Sequence, residues 1–293
     1  LDDKNKVDEN ETKGMTILKQ EERLNYLLEQ FKLDSGTYRN LKVGESTEEK
    51  QTALRSLMNI RMPRQIKEET LHIQDEYLQE RAKEKGIVTL DCIPTIQEAF
   101  GCTSQYADKI AIWQGDITRL QCGAIVNAAN SQMLGCFVPM HTCIDNCIHT
   151  FAGVQLRSVC STYMNRMRSI HGADYEEPTG QAMLTDAFNL PADYIIHTVG
   201  PIVSYRLTEQ LKQQLKDCYQ NILTCCLENQ IRSVAFCCIS TGVFHFPNDE
   251  AAKIAVETTT AFLDDHSDSF DRIIFNVFKD YDKELYQKQL GCL

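Results

Sequence analysis

The chain has 293 residues, 43% apolar and 24% charged, with 41 acidic against 30 basic side chains and a formal net charge of -11. That is enough apolar material for one large domain with an appended segment, and the acidic balance argues against nucleic acid as a partner, because DNA- and RNA-binding surfaces carry a basic footprint. A small anionic ligand stays open, since helix N-termini and runs of backbone N–H hold phosphates without Lys or Arg.

No apolar run reaches the length of a membrane span, and the opening stretch LDDKNKVDENETKG has neither the charge pattern nor the apolar core of a signal peptide. The expectation is an intracellular, cytoplasmic protein without membrane contact. The cysteines number 13, an odd count scattered along the chain, which argues for reduced thiols rather than a disulfide framework. Cys225, Cys226, Cys237 and Cys238 lie in apolar stretches and read as small buried hydrophobes.

Residues 1–95 read as a helical extension and 96–293 as the main domain. Three helices are expected in the extension, in MTILKQEERLNYLLEQFK, STEEKQTALRSLMNI and PRQIKEETLHIQDEYLQERAKEKG. The second opens with Ser46 and Glu49 at capping-box spacing and repeats Leu54, Leu57 and Met58 at helical intervals; the third starts after Pro63 and stops at Gly86. The composition of roughly the first 13 residues would also suit a charged, solvated arm. No catalytic constellation appears in this part.

From about Lys109 short β-rich runs alternate with amphipathic stretches. IAIWQGDI, GAIVNAA, QAMLTDA, YIIHTVG, SVAFCCIS and RIIFNVF read as strands, and residues 143–168, 206–229, 248–264 and 280–290 as helices. The alternation predicts a three-layer α/β/α domain with a mixed, largely parallel sheet, in which ligands collect at the strand C-termini. GDIT, NAAN, STGVF and FKD fall there.

Each of these loops has a bland reading and a functional one. Asp116 suits a hydrogen bond from an exocyclic amine or an ordinary turn cap; Asn127 and Asn130 suit sugar hydroxyls or turn chemistry. Ser240, Thr241 and Gly242 follow a buried strand and precede a helix, so their small side chains let backbone N–H groups approach a diphosphate. Phe244 suits the face of a sugar and Phe278 the face of a base, against core packing for both.

Taken in order, QGDIT, AIVNAANSQMLG, CIDNCIHTFAG, PTGQAMLTDAFNLPADYIIHTVGP and ISTGVFHFP resemble the macrodomain family, in particular its MacroD-like branch, over roughly residues 105–290. The resemblance implies an ADP-ribose site with Asp116 and Ile117 on adenine, Asn130 on the distal ribose, Ser240, Thr241, Gly242, Val243 and Phe244 around the diphosphate and distal ribose, and Phe278 against the adenine ring. One departure stands out. The glycine run usual before the helix of the catalytic Asp is replaced by GCFVPMHTCIDNCIH, which is similar to the zinc-dependent macrodomains, whose N-terminal helical segment resembles ALRSLMNIRMPRQI and IQDEYLQE.

Cys136, His141 and Cys143 supply two thiolates and an imidazole, a set that suits tetrahedral zinc with one open position. Cys147 and His149 are the residues that would close such a site. Cys147 lies one turn beyond Cys143, whereas His149 points elsewhere, and the MacroD-like match puts both on the packed side of the helix. A metal-free loop of buried thiols is the competing reading.

The implied activity is zinc-dependent hydrolysis of mono-ADP-ribose from protein side chains, most simply Asp or Glu, with Asp145 handling water or a ribose proton and Asn130 fixing the ribose. Zinc would act as a Lewis acid or hold the attacking water. A non-catalytic ADP-ribose reader, an O-acyl-ADP-ribose deacylase and a zinc-stabilised scaffold for a partner would share much of this sequence. Family resemblance also suggests a lipoyl-carrier protein as the modified protein and a sirtuin-type transferase as its modifier.

Overall fold

Strands built from Ile, Val, Phe and Ala with no polar alternation need cover on both faces, and that requirement sets the architecture. In the computed structural model, which describes residues 18–293, helices α1 (Gln20–Ser35), α2 (Thr47–Ile60) and α3 (Glu68–Lys85) come first. Then follow β1 (Val88–Thr89), α4 (Ile96–Phe100), β2 (Ile110–Gln114), β3 (Leu120–Gln121), β4 (Ala124–Ala129), α5 (Ile144–Ala152), α6 (Val154–His171), β5 (Ala182–Asp186) and β6 (Tyr194–Val199). The chain continues through α7 (Glu209–Glu228), β7 (Ser233–Phe236), α8 (Asn248–His266), β8 (Arg272–Val277) and α9 (Asp280–Gln289). The main sheet has six strands in the order β2-β8-β7-β4-β6-β5. Every pairing is parallel except β5 with β6, which is antiparallel at the edge. The central strands β4 and β7 are buried almost throughout, while the edge strand β5 alternates. Helices cover both faces, giving the mixed, mostly parallel α/β sandwich that the alternation predicts.

The expected extension helices lie within one to a few residues of their expected bounds, with one larger shift. Ser46 and Glu49 form the reciprocal cap of α2. The third helix starts at Glu68 rather than after Pro63, because Arg61 Nη2 bonds the carbonyls of Arg64 and Gln65 and its Nε, with Arg64, grips Asp34, holding residues 61–65 as a turn. α1, α2 and α3 enclose a core of their own, with Leu24, Leu27, Phe31, Leu54, Leu57 and Tyr77 buried against Val154 of α6. The expected charged arm and the expected helix start at Met15 lie outside the described residues.

Two expectations are corrected. Residues 143–168 form two helices, not one: the chain turns at Gly153, whose φ of +102° is open to glycine and whose missing side chain would meet Gln74, Gln155 and Asn189. The thiols are not all reduced: the fold brings the loop after α4 beside the segment after α9, and Cys102 and Cys292 form a disulfide with their Cα atoms 5.4 Å apart. Cys226 and Cys237 are free and buried, Cys225 and Cys238 free and partly buried, as small hydrophobes should be.

Candidate active site

Because β2, β4, β7 and β8 run parallel, the loops leaving them collect along one edge of the sheet. These are Gly115–Thr118, Asn130–Cys143, Cys237–Pro247 and Phe278–Lys279.

Asp145 sits in the first turn of α5, almost fully buried, and its carboxylate is shared between two asparagines of the β4 end. Asn127 Nδ2 donates to Oδ1 at 2.8 Å and Asn130 Nδ2 to Oδ2 at 3.2 Å. Asn130 also donates to the Gly135 carbonyl at 3.2 Å and accepts from the Gln132 amide, which fixes its plane. Burial pushes the Asp145 carboxyl up to about 6, against the hydrogen bond from Asn127, the nearby charge of Arg157 and the hydrogen bond from Asn130.

Asn127 differs from its expected role on a sugar. It is wholly enclosed within the sheet, with Nδ2 shared between Asp145 and His197 Nδ1, because its place inside a strand buried on both faces turns the amide inward. It positions Asp145. His197, in β6 beside it, is held on the other side by Thr185 Oγ1 at 3.0 Å. His197 and Thr185 were not singled out in the sequence, although a histidine inside the apolar run YIIHTVG is a signal that it has fixed partners. His149 packs over the missing side chain of Gly135, its Nε2 lying 3.6 Å from Asp145 Oδ1; burial holds its imidazole well below the ordinary value.

The thiol and imidazole donors of Cys136, His141 and Cys143 converge within 4.8 Å of one another, partly buried, with Cys136 Sγ and His141 Nδ1 3.5 Å apart. Cys143 caps α5, its Sγ accepting from the Asn146 amide at 3.4 Å. Burial, opposed by that bond and reinforced by Cys136 and Asp145, pushes the thiol up to about 12. Two thiols and an imidazole crowded together in this way suit a soft divalent cation such as zinc, whose charge would offset the cost of ionising them. Cys147 lies outside this group: Arg55 Nη2 approaches its sulfur at 3.7 Å on the side facing α2. His149, Cys160 and His197 also approach within 4.8 Å, but His197 has both ring nitrogens in hydrogen bonds, and no similar argument for a metal arises there.

On the other loops, Ser240 is buried with a φ of +65°, and Gly200 lacks a side chain where the Ser240 Oγ lies. The backbone amides of Gly242, Val243 and Phe244 make no hydrogen bond to any described residue, so three consecutive donors are available to an anion. Val243 is exposed and Phe244 half-buried; Phe278 is 77% exposed at the end of β8, an open ring rather than core. Ile117 is buried in the core, which leaves only its backbone for a ligand. Asp116 is half-open, its Oδ1 taken by the amide and hydroxyl of Thr118 and its Oδ2 by Lys85 of α3 at 2.7 Å.

Residues 126–255 match the model of the Macro domain family. A protein-ADP-ribose hydrolase of Treponema medium is 44% identical over 272 residues, covering 93% of this chain and 99% of that protein. The chain belongs to the macrodomain family. The ADP-ribose glycohydrolase MACROD2 of Xenopus laevis is 38% identical over 77% of this chain and 54% of its own length. Among solved structures, the Trypanosoma brucei macrodomain in complex with ADP-ribose is 29% identical with a TM-score of 0.61, covering 85% of this chain and 97% of that chain.

Proposed function

We propose that this macrodomain is a zinc-dependent hydrolase that removes mono-ADP-ribose from acidic side chains of proteins. The observation that carries the reading is the adjacency of Asp145 to the trio Cys136, His141 and Cys143 at one loop–helix junction, in a chain 44% identical to a protein-ADP-ribose hydrolase. Asp116, the backbone at Ile117 and the open ring of Phe278 would receive adenine, while the amides of Gly242, Val243 and Phe244 would hold the diphosphate without a basic side chain. The distal ribose would then lie over Asn130 and Phe244, with C1 turned toward Asp145. Hydrolysis breaks the bond joining C1 of that ribose to the modified side chain and adds water across it. Asp145, oriented by Asn127 and Asn130, would position that water and take up its proton. Zinc held by Cys136, His141 and Cys143 would supply Lewis acidity beside the ribose.

The test is single-turnover release of ADP-ribose from an acid-linked mono-ADP-ribosylated protein, with a modified lipoyl-carrier protein as the first substrate to try. Release of free ADP-ribose with stoichiometric zinc is the expected result. Tight binding without release would make the protein a reader, and faster turnover of O-acyl-ADP-ribose than of the protein would make it a deacylase.

A further inference from the structure

Between Cys136 and Cys143 the chain has no regular structure, and its one local backbone bond runs from the His141 amide to the Val138 carbonyl at 3.2 Å. Val138 and Met140 face solvent. A loop built this way, left to itself, would visit many arrangements, and fixing the three donors would oppose metal binding by that lost freedom.

Its polar backbone is instead held from outside at almost every second residue. Arg157 Nε bonds the Leu134 carbonyl at 2.7 Å, and Asn146 Nδ2 bonds those of Cys136 and Val138 at 3.2 and 3.0 Å. Asn130 Nδ2 bonds the Gly135 carbonyl between them, and the contacts around His141 come from α2. Asn59 Oδ1 accepts from the Met140 amide at 3.0 Å, and Arg55 Nη2 donates to the His141 carbonyl at 2.8 Å. Both α2 residues also grip α5: Asn59 Nδ2 bonds Thr150 Oγ1 at 2.9 Å and Arg55 Nη2 bonds Asn146 Oδ1 at 2.9 Å. Arg55 and Asn59 are one helical turn apart, so one face of α2 meets the loop and the helix carrying Cys143 and Asp145 together. α2 is itself immobilised, with Leu54, Leu57 and Met58 in the extension core and its last carbonyls, Met58 and Asn59, taken by the buried Arg157.

We propose that α2 is a working part of the metal centre, with Arg55 and Asn59 as positioning residues that fix the backbone on either side of His141 and so set the affinity and residence time of zinc. This rests on the zinc reading above and goes beyond it by giving the helical extension a role at the site.

The test is made on the full chain with zinc itself as the probe, measuring affinity by competition with a chromogenic chelator and release rate under excess chelator. Partners that orient metal ligands change affinity by roughly 10–100-fold when removed. Arg55→Ala and Asn59→Ala should each weaken zinc by about tenfold, and the pair by up to about a hundredfold, with faster release and unchanged helical circular dichroism. Arg55→Lys keeps the charge and the stem but loses the fork, and should fall between native and Arg55→Ala; it carries the test if Asn59→Ala does not fold. Arg23→Ala breaks the Arg23–Glu76 pair on α1 and α3, away from the loop, and should leave zinc binding native. Native affinity and release in folded Arg55→Ala would overturn the proposal, as would an equal loss in Arg23→Ala, which would make the effect one of general loosening. If the native chain holds no zinc, or Cys136→Ser holds it as well as native, the zinc reading fails first and this one with it.

Discussion

Asp145 is held by Asn127, enclosed in the sheet, and by Asn130, neither of which belongs to the thiol–imidazole trio, and this separates its mutants from those of the trio. Asp145→Ala removes a carboxylate that no zinc donor hydrogen-bonds, so turnover should fall by about 10²–10⁴, the span of a lost acid–base group, while zinc stoichiometry stays native. A metal-depleted Asp145→Ala protein would make Asp145 part of the zinc site instead. Asp116→Ala should weaken ADP-ribose far more than ribose phosphate in calorimetry; equal losses would take adenine out of its role. Residues such as Cys136, His141 and Cys143 were legible in the sequence because their donors come from one short loop, so spacing alone brings them close. The inward orientation of Asn127 was not, nor were His197 and Arg157. Their partners lie 12 to 99 positions away, and the register of β6 between β4 and β5, the packing of α5 on β4 and the packing of α6 on α2 join them. The inward turn of Asn127 follows from the burial of β4 on both faces, a property of the sheet that a six-residue run does not reveal.

Elements here meet through backbone conformations that only glycine takes comfortably. Gly135, with a φ of +80°, lies so close to His149 that a Cβ would sit 2.8 Å from its ring, so Gly135→Ala should cost roughly 1–3 kcal/mol in a denaturant melt and displace the carbonyl that Asn130 holds. The break at Gly153 escaped a periodicity reading because α5 and α6 continue the apolar stripe across the turn; the reason for the break is Gln74 of α3, whose Oε1 accepts from the Val154 amide at 3.1 Å. At the other end of the extension, burial pulls the Asp34 carboxyl up, but Arg64 and Arg61 outweigh it and hold it below the ordinary range. A carboxyl lowered on folding adds stability that is fully present above its unfolded value near 3.9 and disappears as pH falls through the folded one. Asp34→Asn should therefore lower Tm by a few degrees at pH 7, and the gap to native should close below about pH 4. A gap that persists unchanged at pH 3 would show that the ion pair contributes nothing through its charge.

Across the whole molecule, the loops proposed for adenine, for the diphosphate and for zinc leave different strands of one sheet, so binding and chemistry should come apart when the metal is removed. The strand and helix alternation made this edge legible from the sequence, since parallel strands leave their loops on one side; the contact of α3 with Asp116 through Lys85 was not legible, because the extension and β2 meet only in the folded chain. Chelation, or His141→Ala, should reduce turnover by orders of magnitude, as expected when a Lewis acid is lost, yet leave measurable ADP-ribose binding, because the three open amides after Ser240 and the ring of Phe278 owe nothing to the metal. The loop from Ser240 to Phe246 contains no Lys or Arg, so that binding should also change little between low and high salt, unlike a site built from ion pairs. Calorimetry and product release on the same metal-free samples, with circular dichroism as the folding control, read both quantities. A folded, metal-free protein that hydrolyses at the native rate would reduce Cys136, His141 and Cys143 to a structural knot; one that no longer binds ADP-ribose would mean that the metal holds the ligand as well as the chemistry.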